Sequence, residues 1–167
     1  ASGETHSADV VVFNGDTAAL SDGLLGADVS TSVPVRPRHQ RGLSAITWCI
    51  NAETSGFELD HHNVFFAQNY AQEFSTIFDN RGICNEPTVY VCAQDRINGA
   101  PLKAGTERLL LLVNAPADGD HKAWTRNKLD EQREHALSVV NRGGANITFS
   151  EQNCVVSSPD DWHHRFP

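Results

Sequence analysis

Two stretches, PTVYVCAQDR at residues 87–96 and ERLLLLVNAP at residues 107–116, decide the fold of this chain. Both are rich in β-branched and aliphatic residues, as β-strands are. The segment between them contains Asn98-Gly99, Pro101 and Gly105, residue types that reverse the direction of a chain. The pattern therefore predicts an antiparallel pair of strands whose polar ends are the places where chemistry could occur.

On the amino-terminal side of this pair, alternation over residues 43–50 predicts a strand with one strongly apolar face. Residues 61–67 predict a further strand. Asn69 and Gln72 have the spacing of a capping box at the start of a helix. Apolar residues then recur at helical spacing, which predicts an amphipathic helix bearing Tyr70, Phe74, Ile77 and Phe78.

On the carboxy-terminal side, residues 122–141 predict a polar helix that ends at Gly143-Gly144. Its expected buried contacts are Trp124, Ala136, Val139 and Val140. A short strand is predicted around residues 154–156. Ser158 then caps a last helix that has Pro159 in its first turn.

The first 30 residues predict a different unit. Residues 8–13 form a continuous apolar run, typical of a strand buried on both faces, and Asp16 can cap a helix over residues 17–25. Strand, turn and helix are the layout of a nucleotide-binding βα unit, but the chain has no GxGxxG fingerprint. We expect a remnant of such a domain at residues 1–30, a linker at 31–42 and a second domain at 43–167.

Composition limits the function. The chain has 167 residues, 40% of them hydrophobic, and a net charge of −8 with only 13 Lys and Arg, which argues against nucleic acid as a partner. It shows neither a signal peptide nor an apolar run long enough to span a bilayer. Cys49 and Cys92 lie inside apolar runs, so we expect buried, reduced thiols in a cytoplasmic protein. The start at Ala1 and the lack of Met indicate a piece of a longer protein.

Catalytic motifs are missing from the sequence. It has neither GxSxG nor HExxH, and no catalytic residue is predicted. The pairs His61-His62 and His163-His164 could suggest a metal, but adjacent residues on a strand point to opposite faces, so each pair should give a site one ligand at most. We therefore predict no metal site. Asp95-Arg96 could be a functional pair or a surface ion pair.

Three pieces of the sequence, taken in order, resemble a known family. They are residues 8–16 with 24–26, residues 43–66, and residues 87–96 with 112–116. Together they resemble the bacterial carotenoid desaturases related to phytoene desaturase, most closely the subgroup acting on hydroxyneurosporene or methoxyneurosporene. Residues 158–167 are similar to the family segment that precedes its last FAD-binding portion. The chain therefore resembles an interior fragment.

The resemblance implies the fold of an amine-oxidase-like FAD flavoprotein. In that fold an α+β substrate domain, built on a mixed, largely antiparallel sheet with covering helices, accompanies a dinucleotide domain, of which this chain would keep one βα unit. The parent protein would bind FAD and remove hydrogen from a carotenoid polyene by hydride transfer to the flavin. It would touch the membrane only peripherally, to collect its substrate. Because the family's flavin-binding segments are missing, we expect no FAD on this chain alone.

The candidate site residues follow from this resemblance. Ligands of open α/β sheets gather at the carboxyl ends of strands, which predicts cofactor contact by Asn14, Gly15 and Asp16. The aromatic residues predicted to line the substrate cavity are Trp48, Phe65, Phe66 and Tyr90. Ordinary core packing is the alternative for each of these aromatics. Two other functions remain open, a non-catalytic α+β binding module that shares the fold and a metal hydrolase that uses the histidine pairs.

Overall fold

The computed structural model describes residues 3–96 and 105–166, and the chain divides into two units after Pro37. The first unit contains two short helices, α1 (Thr17–Ser21) and α2 (Ala27–Ser30). Asp16 caps α1 as predicted, because its carboxylate accepts a hydrogen bond from the Ala18 amide. The helix ends at Ser21, four residues before the predicted end at residue 25.

The predicted strand at residues 8–13 is wrong. No strand is assigned there, and Val10, Val11 and Val12 are between 77% and 88% exposed. A strand buried on both faces needs neighbouring strands to satisfy its backbone and layers to cover its side chains. None of the described residues pairs with this run, so its apolar composition alone does not make it a strand.

The second unit is built on a six-stranded sheet in which every pairing between described strands is antiparallel. The spatial order is β2-β3-β4-β1-β5, and β6 also pairs with β1. The strands are β1 (Leu43–Gly56), β2 (His62–Phe65), β3 (Val89–Ala93), β4 (Glu107–Pro116), β5 (Ala145–Thr148) and β6 (Cys154–Ser157). The α+β class, the largely antiparallel sheet and the central pair β3–β4 are thus confirmed. The predicted turn residues Asn98-Gly99 and Pro101 lie outside the described residues.

Three helices accompany the sheet, α3 (Tyr70–Phe78), α4 (Arg126–Arg142) and α5 (Pro159–Arg165). Asn69 caps α3, its side chain accepting from the Gln72 amide at 3.1 Å. Ser158 and Asp161 form the capping box of α5, as the sequence predicts for Ser158. Helix α4 begins at Arg126 and not near residue 122, because Thr125 supplies its cap.

The two faces of the sheet differ in what covers them. On one, which we call the core face, the side chains of Ile46, Trp48 and Ile50 from β1 are at most 4% exposed, as alternation predicts. Their cross-strand partners Val113, Leu111 and Leu109 are equally buried. Helix α4 packs on this face through Leu129, Ala136, Val139 and Val140. The residues between these on each strand point to the other face, which we call the open face.

Candidate functional site

The open face carries mostly apolar side chains, and several of them are half-buried or exposed, although Cys92 and Thr47 are buried. The strand register places His62 opposite Cys92, Cys92 opposite Leu110, and Leu110 opposite Cys49. The next row of cross-strand partners is Val64, Tyr90, Leu112 and Thr47. Cys49 is exposed, where the sequence had predicted a buried thiol. Val64 is 49% exposed, and Val155, beside Cys49, is 62% exposed.

Helix α3 covers one end of the open face through a buried carboxylate. Glu73 is fully buried, and its side chain accepts hydrogen bonds from the Thr88 amide at 3.1 Å and from Asn114 Nδ2 at 3.4 Å. Asn114 lies two residues after Leu112 on β4, so these bonds fix the helix on the open side of the sheet. Two of the helix residues, Glu73 and Ile77, are buried.

The predicted apolar stripe of α3 points mainly to solvent. Successive ring centroids lie 5.9, 4.9 and 6.1 Å apart along a line that we call the aromatic row, made by Phe66, Tyr70, Phe74 and Phe78. The spacing of four residues places Tyr70, Phe74 and Phe78 on one side of the helix, and Phe66 contacts Tyr70 from the segment before it. Phe66, Tyr70 and Phe78 are 66%, 50% and 39% exposed. The row therefore adds an aromatic surface beside the covered end of the open face.

The four predicted cavity aromatics are divided between different environments. Trp48 is 1% exposed in the core face. Phe65 packs partly buried against the same core, with its ring edge-on to Phe57 at 6.0 Å. Phe66 belongs to the aromatic row, and Tyr90 lies half-buried on the open face. Of the four, only Tyr90 and Phe66 lie on surfaces that a ligand could reach in the described chain.

Tyr90 holds the edge of the open face together. Its phenol oxygen lies 2.7 Å from Nδ1 of His62, and the two rings stack at 6.0 Å. Burial, followed by the neighbouring Cys92 thiol, raises the pKa of Tyr90. The phenol therefore stays neutral near pH 7 and acts as a hydrogen-bonding group, not as a charge.

The predicted flavin-contact residues Asn14, Gly15 and Asp16 are exposed. The strand whose end was expected to present them is not formed, and the Asp16 carboxylate is occupied by the Ala18 amide. A helix of five residues follows them, and it starts without a glycine-rich loop. As they lie here, the three residues do not fit a flavin site, and their contact with a cofactor stays a prediction.

Asp95 and Arg96 do not pair with each other. Arg96 makes a two-pronged contact with Glu107, at 2.9 and 2.7 Å, and Nη1 donates to the Leu59 carbonyl at 2.7 Å. Asp95 accepts from the amide and the guanidinium of Arg108, at 2.8 and 2.9 Å. Both residues follow the end of β3, and their partners Glu107 and Arg108 are adjacent on β4 and point to opposite faces, so Asp95 and Arg96 bind on different sides.

The two ion pairs also differ in burial. The side chains of Arg96 and Glu107 are 14% and 3% exposed, against 68% and 32% for Arg108 and Asp95. Burial by itself would raise the pKa of Glu107, but hydrogen bonds from Arg96 and Thr54 outweigh it, so the pKa lies below its usual value. The hydrogen bond with Glu107 raises the pKa of Arg96. This pair is a structural clamp between β1, β3 and β4.

The expectation that His61 and His62 cannot share a site is wrong. One nitrogen of each ring and the Cys92 thiol all lie within 4.8 Å of one another. His61 lies just before β2, where strand alternation does not yet apply. The side chain of Asn63 exchanges hydrogen bonds with the backbone of Asp60, at 2.8 and 2.7 Å, and this turn brings both rings to one side. Sequence spacing gives no direct signal of such a turn.

None of the helices in the described residues is long and apolar enough to cross a membrane. No protein-family model matches the chain.

Individual relatives do match it. A hydroxyneurosporene desaturase of Rubrivivax gelatinosus is 44% identical over all 167 residues of this chain, which cover 32% of that protein. The protein of the same description in Rhodobacter capsulatus is 43% identical over 93% of the chain and 31% of its own length. A 1-hydroxycarotenoid 3,4-desaturase of a Flavobacterium species is 29% identical over 83% of the chain and 28% of its own length.

The chain thus spans about a third of the length of the curated relatives it matches. The similarity runs through both units of the chain and agrees with the resemblance of residues 8–16 with 24–26, 43–66, and 87–96 with 112–116. Proteins that are 44% identical over a whole chain share a fold, so the open face and the aromatic row are surfaces of a desaturase-like segment.

Proposed function

We propose that this chain, a homologue of one segment of the carotenoid desaturases, belongs to an FAD-dependent enzyme that removes hydrogen from a hydroxyneurosporene-type polyene. The observation that carries the proposal is the 44% identity to a hydroxyneurosporene desaturase across the entire chain. The relatives are oxidoreductases of carotenoid biosynthesis, and their full-length family uses FAD. The contribution of this segment is binding and orientation of the substrate.

In this proposal the open face forms one wall of the substrate cavity. Apart from its hydroxyl group, such a polyene is a long, apolar rod, so most of it is bound by removal of apolar surface from water. The half-buried Leu110 and Leu112 and the neutral Tyr90 offer such surface on two adjacent strands. A role in holding the rod against a flavin needs no acid or base, which agrees with the lack of catalytic motifs.

The flavin itself is proposed to be held in the full-length protein and not by this chain alone. Asn14, Gly15 and Asp16 remain candidates for contact with it in that setting, although their present geometry does not fit a flavin site. Hydride acceptance from the substrate is the chemistry that the flavin supplies when bound. The residues of this chain position and shield the polyene.

The aromatic row is proposed as the surface that meets the membrane, where a carotenoid would be collected. Aromatic side chains favour the interface between headgroups and hydrocarbon. The only acidic residue of α3, Glu73, is buried and does not repel an anionic bilayer. Such contact would be peripheral.

Substrate binding can be tested on the chain itself. Titration with a hydroxylated C40 polyene in detergent should quench the fluorescence of Trp48, Trp124 and Trp162 and saturate near one ligand per chain. Leu112→Glu, on the open face, should weaken binding at least tenfold, because a carboxylate cannot be buried against a polyene without cost. Ser138→Glu, at an exposed position of α4, is the matched control and should bind the polyene as tightly as the unsubstituted chain does. Equal affinity of both variants would contradict the assignment of the open face.

The enzymatic part needs a separate experiment. The matching third of the Rubrivivax gelatinosus relative can be replaced by this chain, and the desaturated product measured by the red shift of carotenoid absorption. Activity of this chimera supports the desaturase segment. A flavin-loaded chimera that binds polyene without desaturating it would favour a non-catalytic binding module.

A further inference from the structure

We propose that His61, His62 and Cys92 form a zinc site at the edge of the open face. Two imidazoles and one thiol lie within 4.8 Å of one another, the only such group of three or more His, Cys, Asp or Glu ligands among the described residues. The proposal rests on this geometry and is independent of the desaturase function. Two nitrogens and one sulfur are a borderline-soft donor set, which suits Zn²⁺ and not Mg²⁺ or Ca²⁺, whose ligands are oxygens.

The distances are close to those that a bound ion requires. Zinc bonds of about 2.0–2.1 Å to nitrogen and about 2.3 Å to sulfur place tetrahedral ligand atoms roughly 3.3–3.6 Å apart. Nε2 of His61 lies 3.9 Å from Sγ of Cys92. The three ligand atoms lie within 4.8 Å of one another, so an ion would have to draw them closer together on binding.

Hydrogen bonds to the other ring atoms already orient both imidazoles. Nδ1 of His61 lies 3.0 Å from the Ala93 carbonyl, to which it can only donate, so Nε2 keeps its lone pair and faces the thiol. The phenol of Tyr90 lies 2.7 Å from Nδ1 of His62. Metal-binding histidines in proteins typically have such outer partners, which fix the tautomer and the ring plane.

The backbone under the site is held on both strands. The Ala93 amide donates to the His61 carbonyl at 2.9 Å, and Asn63 donates to the Val91 carbonyl at 3.1 Å. Cys92 is 9% exposed on a central strand, whereas His62 is exposed and leaves an entry path for the ion. Three protein ligands leave a fourth position open to water or to a small anionic ligand.

The histidine pair of α5 offers a contrast. His163 and His164 are exposed, their ring centroids lie 5.9 Å apart, and His164 Nδ1 contacts the Asp160 carbonyl at 2.6 Å. That pair belongs to no group of three ligands among the residues that the structure describes. It therefore serves as an internal control for adventitious binding by adjacent histidines.

The test is metal binding by the 167-residue chain under reducing conditions. Zinc titration followed by gel filtration should leave one ion per chain. Cobalt(II) in place of zinc should give a thiolate-to-metal charge-transfer band, which reports a sulfur ligand directly. Cys92→Ser should abolish this band, and His62→Gln should lower zinc affinity at least tenfold. Tyr90→Phe, which removes only the outer partner of His62, should lower it by about 10- to 100-fold.

The matched controls are Cys84→Ser and His163→Gln, and both should bind zinc as tightly as the unsubstituted chain does. If Cys92→Ser fails to fold, His62→Gln carries the test, because the His62 side chain is exposed and Gln keeps a hydrogen-bonding group beside Tyr90. Stoichiometry well below one, or a charge-transfer band that survives Cys92→Ser and disappears in Cys84→Ser, would overturn the proposal. Neither result bears on polyene binding, so failure of this site is distinguishable from failure of the proposed function.

Discussion

The two faces of the sheet are built by alternate residues of the same strands, yet they have opposite environments. Leu109 and Leu111 are 2% and 1% exposed on the core face, while Leu110 and Leu112 between them are half-buried on the open face. Helix α4 covers the first face along its length, whereas α3 reaches only one end of the second. The same residue type therefore supports stability on one face and is left available for binding on the other.

The comparison teaches that an apolar strand run does not by itself indicate burial on both sides. Four consecutive leucines are typical of a strand covered by two layers. Here α4 covers one side and, among the described residues, α3 covers an end of the other, the side where we propose the polyene to lie. A ligand that covers such a face replaces the packing layer that a protein element would otherwise provide.

The largest effect should separate the faces directly. Leu111→Ala should destabilise the chain by about 3 kcal/mol, because it leaves a cavity under α4. Leu112→Ala, at the adjacent leucine, should cost less, about 1 kcal/mol, since its side chain is only partly buried. Urea unfolding measures both losses of unfolding free energy, provided that the m-value of each variant is unchanged. Equal losses would mean that the open face is packed as tightly as the core.

A comparable contrast exists between the two ion pairs of the central strands. Glu107→Gln leaves the Arg96 guanidinium buried without a counter-charge and should cost about 3 kcal/mol. Asp95→Asn breaks the exposed pair with Arg108 and should change the unfolding free energy far less. The two variants each remove one negative charge, from β4 and from the turn after the neighbouring β3, so urea midpoints compare them directly. A larger loss for Asp95→Asn would show that the buried clamp is not the stabilising one.

The Glu107 pair also predicts a pH dependence. The pKa of Glu107 is lowered in the folded chain, so its contribution to stability is present at neutral pH and is lost as the pH falls through that lowered pKa. The unsubstituted chain should therefore lose stability more steeply than Glu107→Gln when the pH is lowered below the usual glutamate pKa. Urea midpoints measured from neutral to acid pH test this. If the urea midpoints of both proteins fell in parallel with pH, carboxylates other than Glu107 would be responsible for the loss of stability in acid.

Local signals in the sequence predicted the second unit well. Alternation identified the core-face residues Ile46, Trp48 and Ile50, and caps identified where α3 and α5 begin. These features depend on neighbours within a few residues, which a sequence displays. The resemblance, which includes residues 43–66 and 87–96 with 112–116, supplied the class of the fold.

What the sequence did not predict depends on partners distant along the chain. The run at residues 8–13 has the composition of a strand but no strand beside it among the described residues. The aromatic stripe of α3 points outward because buried Glu73, not an aromatic ring, anchors the helix. The proximity of His61 and His62 is a local exception, because it depends on the turn in which Asn63 binds the backbone of Asp60, three residues before it. The first two cases are decided by a tertiary hydrogen bond or by a missing one.

A smaller effect tests the cap of the helix that borders the open face. Asn69→Ala removes the acceptor of the Gln72 amide and should cost about 1 kcal/mol. Gln68→Ala changes an exposed neighbouring residue and should be nearly neutral. Thermal or urea unfolding distinguishes them. If Asn69→Ala also weakened polyene binding without unfolding the sheet, α3 would contribute to the cavity and not only border it.

The smallest effect on stability should come from the aromatic row, where the comparison with the core face is sharpest. Tyr70→Ser combined with Phe78→Ser removes two large but exposed rings, so the unfolding free energy should change little. Partition of the chain onto phospholipid vesicles should nevertheless weaken by about tenfold or more, because each ring buried in the interface contributes apolar area. Val29→Ser, which removes an exposed apolar side chain of α2, is the control for general hydrophobicity.

Vesicle sedimentation and urea unfolding are then measured on the unsubstituted chain, on Leu111→Ala and on the Tyr70 and Phe78 double variant. We expect the order of the two variants in stability to be the reverse of their order in vesicle affinity. Leu111→Ala should unfold easily and, while folded, bind vesicles as the parent does. The Tyr70 and Phe78 double variant should be as stable as the parent and bind vesicles poorly. If the double variant lost stability instead and kept its vesicle affinity, the aromatic row would be a packing surface, and the division between a structural face and a binding face would have to be placed elsewhere in the molecule.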